Sequence, residues 1–134
     1  YLTLQFNPRY DPAYLNAGNV LQKMGKLDEA LNCYQKAWEI NNRSSDALYN
    51  MGIILVLQNK PAEAVGRFRE ALKIKPDDAD VHNNLGIALI RSGEISGGLH
   101  HFQRALELNP DSAEFQKNVS AALQIQRDAG RNKR

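Results

Sequence analysis

The strongest constraint on the fold is a 34-residue period that runs through the sequence. Gly18, Gly52 and Gly86 are each 34 residues apart, and the residues around each glycine recur in the same register. With residues 11, 45, 79 and 113 as the first positions of successive copies, small residues recur at positions 20 and 27, and an aromatic residue recurs at position 24. A period of this length indicates short supersecondary units that stack and share a core.

Each copy contains two stretches with helical spacing. Apolar and small residues at positions 4, 7, 8 and 11 follow the i, i+3, i+4, i+7 pattern of one helix face, and positions 20, 24, 27 and 28 repeat it. Gly25, Asn59 and Gly93 stand between the two stretches, and these residue types tolerate the left-handed conformation that ends a helix. Pro61 suits the first turn of a second helix. The pattern predicts an all-α chain of helical hairpins, in which small residues let the two helices approach closely.

The motif as a whole resembles the tetratricopeptide repeat, with glycine at position 8, alanine at 20 and 27, an aromatic residue at 24 and proline at 32. Pro76 and Pro110 stand at position 32, where the first copy has Asn42. In the third copy, Gly97 and Gly98 stand at positions 19 and 20, where alanine is expected at position 20. The resemblance implies a right-handed superhelical solenoid of antiparallel helix pairs, with the first helix of each pair lining the concave side.

The register also predicts the domain organisation. Leu4 and Phe6 align with Trp38 and Ile40, so residues 1–10 are predicted to be the last turn of a preceding repeat. The remaining segments are repeat 1 at 11–44, repeat 2 at 45–78, repeat 3 at 79–112, a C-terminal capping helix at 113–128 and a basic tail at 129–134. All belong to one repeat domain. With half a unit absent before Asp11, we expect the chain to be a segment of a longer repeat protein.

Composition is consistent with one helical repeat domain. The chain is 43% hydrophobic and 24% charged, with a formal net charge of +2. No apolar run approaches the roughly 20 residues that cross a bilayer, so we expect no direct membrane contact from this segment. Cys33 has no second cysteine to pair with, which favours a reducing, cytoplasmic setting and leaves the periplasm open.

Neither catalytic nor metal-binding patterns stand out. His82, His100 and His101 lack the spacing of metal ligands on one helix face, and no serine or cysteine is accompanied by a base. A glycine-rich phosphate loop after a strand is also missing. We therefore predict no enzymatic activity, no metal and no cofactor.

Nucleic-acid binding is not expected either. Contact with a phosphate backbone needs a continuous stripe of lysine and arginine. The predicted inner face instead alternates acidic residues, such as Asp46, Asp80 and Glu114, with Lys23, Arg91 and Lys117. The charge pattern therefore favours a protein or peptide partner.

One asparagine recurs at position 6 of every copy, and we call Asn16, Asn50, Asn84 and Asn118 the asparagine ladder. An amide side chain both donates and accepts, so a row of amides can bond the main chain of an extended peptide. The row resembles the asparagine ladder of O-linked N-acetylglucosamine transferases, where it holds protein substrates. The alternative is that each amide bonds to a neighbouring helix.

Residues beside the asparagine ladder complete the predicted peptide-binding site. These are Asn19, Tyr49, Ile53, Asn83, Ile87 and Arg91. The dicarboxylate clamp that this family uses for chaperone tails would need cations where the chain has Leu15, Asp80 and Asn84. Binding of chaperone tails is therefore not expected.

The sequence thus predicts a protein-interaction scaffold that binds an extended peptide or a partner helix in a concave groove. One alternative is a substrate-recruiting arm of a larger enzyme, such as a glycosyltransferase, or of a membrane-anchored assembly factor. The other is self-association into a homo-oligomer through stacked repeats.

Overall fold

The computed structural model describes residues 11–132, and these residues form seven α-helices and no strand. The helices are α1 (Asp11–Lys23), α2 (Leu27–Ile40), α3 (Ser45–Leu57), α4 (Pro61–Ile74), α5 (Ala79–Arg91), α6 (Ile95–Leu108) and α7 (Ala113–Asn132). The predicted all-α chain of repeated helix pairs is confirmed. The prediction for residues 1–10 lies outside the described residues.

The chain divides into two compact units between Lys75 and Pro76. In unit 1, α1 packs on α2, α2 on α3 and α3 on α4. In unit 2, α5 packs on α6 and α6 on α7. The right-handed winding of the whole array stays a prediction. None of the described helices is both long enough and apolar enough to cross a membrane.

Each hairpin turn is built around the residue predicted from position 15. Gly25, Asn59 and Gly93 have φ angles of 78°, 61° and 90°, which is the left-handed region. The next amide in each turn reaches back to a carbonyl oxygen of the first helix, as in Lys60 N to Leu55 O at 2.8 Å. This pattern is a Schellman-type helix end, so the turn prediction is confirmed.

Polar side chains cap the first helices of the later copies. Ser44 Oγ accepts from the amide of Ala47, Asp78 Oδ1 accepts from the amides of Asp80 and Val81, and Ser112 Oγ accepts from Phe115. These bonds satisfy amides that have no partner within the helix. The caps therefore fix where α3, α5 and α7 begin.

A glycine and an aromatic ring meet in the core of every hairpin. A Cβ added at Gly52 would lie 2.4 Å from Phe68 Cε1, and one at Gly18 would lie 2.5 Å from Tyr34 Cε1. Gly86 has the same relation to Phe102, at 2.5 Å from Cδ1. The ring of the second helix therefore lies directly against the backbone of the first. This packing explains why positions 8 and 24 recur together.

The last helix is longer than predicted. The sequence places the end of the capping helix at residue 128 and a basic tail after it, whereas α7 continues to Asn132. No proline interrupts the segment, and a single helical glycine at Gly130 costs only about 1 kcal/mol. Phe115 and Ala122 are buried, while Gln116, Ser120 and Gln124 are exposed.

Candidate functional site

Unit 1 carries half of the asparagine ladder. Asn16 is exposed on α1, and Asn50 is half-buried on α3 beside the half-buried Tyr49 and Ile53. Among the described residues, the side chains of Asn16 and Asn50 form no hydrogen bond. Both amides are therefore free to bond a ligand.

Asn19 has a structural partner in the same unit. The hydroxyl of Tyr34, whose side chain is fully buried, donates to Asn19 Oδ1 at 2.7 Å and lies 3.0 Å from Gln22 Oε1. Burial raises the pKa of Tyr34 to about 12 because the phenolate would lose its hydration. Asn19 thus satisfies a core hydroxyl as well as facing solvent.

A pocket of about 350 Å³ lies next to this bond. Its lining residues are Asn19, Gln22, Lys23 and Leu57. Leu57 is 57% exposed, although it is a large aliphatic residue. The pocket thus combines two amides, one cation and one exposed aliphatic side chain.

The asparagines of unit 2 are bonded within the protein. Asn118 Nδ2 donates to Asn83 Oδ1 at 2.8 Å, Asn83 Nδ2 donates to Glu114 Oε1 at 3.5 Å, and Asn84 Nδ2 donates to the Asp80 carbonyl at 2.9 Å. Asn83 is only 3% exposed. The sequence predicts that Asn83 faces the groove. In the structure its amide is instead buried and positions Asn118 and α7.

Three of the predicted site residues meet around one apolar pocket in unit 2. Ile87, Arg91 and Asn118 line a pocket of about 170 Å³. The other lining residues are Ile90, Phe102, Ala121, Ala122 and Ile125. Arg91 is exposed and, within the described residues, forms no ion pair. The pocket therefore offers an apolar cavity with an available guanidinium at its edge.

The two pockets share one arrangement, which sequence reasoning missed. Position 13 of one first helix supplies a cation, Lys23 or Arg91, and position 13 of the next first helix supplies an exposed aliphatic residue, Leu57 or Ile125. Ile125 is 39% exposed. The 34-residue register aligns Lys23, Leu57, Arg91 and Ile125 at position 13, and comparing these residue types would have revealed the pattern.

The histidines form a contact that their spacing does not reveal. His82 is buried, its Nε2 lies 2.7 Å from the Pro76 carbonyl oxygen, and its Nδ1 lies 3.0 Å from His101 Nδ1. Because a carbonyl only accepts, Nε2 carries the proton and the Nδ1 of neutral His82 accepts from His101. Across residues 11–132, no group of three potential metal-binding side chains comes together. The contact between His82 and His101 joins α5 to α6.

Comparison with known proteins identifies the repeat. A family model described as tetratricopeptide repeat matches residues 11–77, and another with the same description matches residues 55–124. A comparison with curated proteins finds no significant match.

Several solved structures have the same fold. The first TPR domain of Spaghetti (RPAP3), bound to the HSP90 peptide SRMEEVD, has a TM-score of 0.85 and 22% identity, over 87% of this chain and 92% of that one. YrrB, a TPR protein with an unusual peptide-binding site, has a TM-score of 0.83 and 28% identity, over 92% of this chain and 63% of that one. The Sgt2 TPR domain from Aspergillus fumigatus has a TM-score of 0.85 and 15% identity, over 90% of this chain and 82% of that one.

Proposed function

The chain belongs to the tetratricopeptide repeat family, and from this membership we propose that it is a protein-interaction module that binds extended peptides along its first helices. Two similar structures support a peptide ligand: the Spaghetti domain is bound to a peptide, and YrrB has a peptide-binding site. The observation that carries the proposal is the pocket of unit 2, because three residues predicted from the sequence line it.

The pocket residues favour one kind of peptide. An apolar cavity of about 150 Å³ is large enough for a benzene-sized group, so a 170 Å³ pocket has room for one aliphatic or aromatic side chain. The guanidinium of Arg91 at the edge favours a carboxylate beside that side chain. We therefore propose that unit 2 binds a large apolar residue with aspartate or glutamate next to it.

The main chain of the peptide would bond to Asn16 and Asn50 of the asparagine ladder. In unit 1, Asn16 and Asn50 have no competing side-chain partner among the described residues. Lys23 and Leu57 repeat the combination of cation and aliphatic residue. Unit 1 is therefore proposed to bind a segment of the same chemistry, with main-chain bonds adding affinity without sequence preference.

Substitutions that fill the pocket or reverse its charge should remove this binding. Ala121 is exposed and lines the pocket, so Ala121→Trp should fill the cavity and weaken peptide binding at least tenfold. Arg91→Glu should weaken the binding of acidic peptides by a similar factor. The measurement is fluorescence polarisation with labelled peptides selected from an array on the intact chain.

Ser120→Trp is the matched control, since Ser120 is the neighbouring exposed residue of α7 and does not line the pocket. It should bind as the parent does. If Ala121→Trp and Arg91→Glu bind every selected peptide with unchanged affinity, the proposed site is wrong.

Self-association is a second candidate function, favoured by one observation on α1. Val20 and Met24 are 58% and 59% exposed, whereas Ile54, at the position of α3 equivalent to Val20, is fully buried by the packing of unit 1. We propose that a second copy covers this apolar strip.

The parent chain should then dimerise as its concentration rises, and Val20→Lys with Met24→Lys should stay monomeric in sedimentation equilibrium. Leu57→Lys removes an equally exposed aliphatic residue from another helix and should leave the dimer intact. A monomeric parent at high micromolar concentration would contradict the candidate.

A further inference from the structure

A cavity in unit 1 lies among α2, α3 and α4, away from the proposed peptide site. It has a volume of about 560 Å³, within the range of pockets that bind ligands. Its apolar lining includes Met51 and Leu55 of α3, with Leu31 of α2 and Ala62 of α4. We call this cavity the acidic groove, because carboxylates surround these apolar side chains.

Three carboxylates and one guanidinium line the acidic groove. Arg67 Nη1 pairs with Glu70 Oε1 at 3.0 Å, and Asp28 Oδ1 accepts from Gln58 Nε2 at 2.6 Å. Within the part of the chain that the structure describes, Glu63 has no hydrogen bond or ion pair. The acidic groove therefore has an excess of negative charge and one carboxylate available to a cation.

A glycine leaves room for a ligand at the same place. Gly66 lies inside α4 and lines the acidic groove, and a Cβ added there would meet nothing within 4 Å. Glycine is unfavourable inside a helix, and no packing contact requires it at this position. The absent side chain widens the cavity and exposes the backbone of α4 to whatever lies in it.

We propose that the acidic groove is a second binding site, for a short extended peptide in which arginine or lysine stands next to an aliphatic residue. The aliphatic side chain packs on the apolar lining beside Met51 and Leu55, and the cation pairs with Glu63. The pockets described above, with Lys23 in unit 1 and Arg91 in unit 2, lie on the first helices of the repeats, and we call them the first-helix pockets. They favour acidic peptides, whereas the acidic groove favours basic ones, so the two kinds of site select opposite charges. One chain thereby holds two different segments at once.

The test uses the whole chain and two synthetic peptides of matched length. One is acetyl-Gly-Leu-Arg-Leu-Arg-Gly-amide, and the other has glutamate in place of each arginine. Amide chemical shifts are followed by NMR during titration at low salt. The arginine peptide should shift amides of α2 and α4 around the acidic groove, the glutamate peptide should not, and 0.5 M NaCl should weaken the binding.

Two variants locate the binding. Gly66→Leu should abolish the shifts because its side chain occupies the cavity. Its thermal unfolding should match or exceed that of the parent, because a Cβ at this position meets no atom within 4 Å and leucine favours the helix over glycine. Glu63→Gln should weaken binding about three- to fivefold, as expected for one exposed ion pair. Glu29→Gln changes the equivalent position of the first repeat, which does not line the acidic groove, and should have no effect.

Each outcome decides for or against the proposal. Shifts of the residues that line the acidic groove, in α2, α4 and the part of α3 around Met51 and Leu55, support it if Gly66→Leu removes them. Unchanged spectra with the arginine peptide, shifts confined to the first-helix pockets, or full binding by folded Gly66→Leu overturn it. Ala121→Trp changes the pocket of unit 2 and leaves the acidic groove intact. Failure of the proposed first-helix site is therefore distinguishable from failure of the acidic groove.

Discussion

Substitution of Ala71 with glutamate should unfold the second hairpin and take unit 1 with it. Ala71 of α4 is fully buried, and position 27 places it where two helices approach closely. A carboxylate forced into this fully buried position would lose its hydration, at a cost of about 3–5 kcal/mol. Small domains have only about 5–15 kcal/mol of stability. Urea unfolding followed by circular dichroism should show the loss of unit 1 as one cooperative step.

The same substitution at an exposed site separates burial from helix propensity. Ala62 is an exposed residue of the first turn of α4, where glutamate is compatible with the helix dipole. Ala62→Glu should therefore unfold at nearly the parent urea concentration. If Ala71→Glu also unfolds there, position 27 is not at the helix contact and the packing described for unit 1 is wrong.

Removal of the Phe68 ring should have the second large effect. The ring is fully buried, it lies against Gly52, and its centroid is 6.0 Å from that of Tyr49. Phe68→Ala leaves a cavity that the helices only partly fill, so we expect a loss of about 3–5 kcal/mol in the free energy of unfolding. Chemical denaturation of the intact chain measures it.

A double-mutant cycle tests whether the glycine and the ring form one unit. Gly52→Ala alone should destabilise by about 1–3 kcal/mol, because the new methyl group would overlap Phe68. In the Phe68→Ala background the same methyl enters the cavity, so its cost should fall or reverse. Gly97→Ala, whose Cβ would make an ordinary contact at 3.6 Å, should not destabilise. Equal costs of Gly52→Ala in both backgrounds would refute the contact.

Several local features of the fold were predictable because each depends on one residue type. The left-handed turns at Gly25, Asn59 and Gly93 require residues that tolerate positive φ, and the sequence shows them at one spacing. The end of α7 was less predictable. Helix ends without proline or a capping residue depend on small free-energy differences, so the helix passes the predicted boundary and reaches Asn132.

The candidate site was predictable only in part, because identical residues at one repeat position acquire different partners. Asn50 and Asn84 occupy the same position, yet Asn84 bonds the Asp80 carbonyl, while Asn50 forms no side-chain bond among the described residues. Asn83 is buried against Asn118, a contact 35 residues away in sequence. Such pairings depend on distances between helices, which a periodic pattern does not specify.

The sequence by itself determined the repeat, the helix pairs and the turns. These follow from backbone sterics and from the 3.6-residue periodicity of a helix, both of which are local. Only the tertiary structure decided which polar side chains are free, where the first-helix pockets open and how Met51, Gly66 and Glu63 come together in the acidic groove. The physical reason is that a cavity is the space left between packed helices, and its charge comes from the side chains that line it. Both depend on residues distant in sequence.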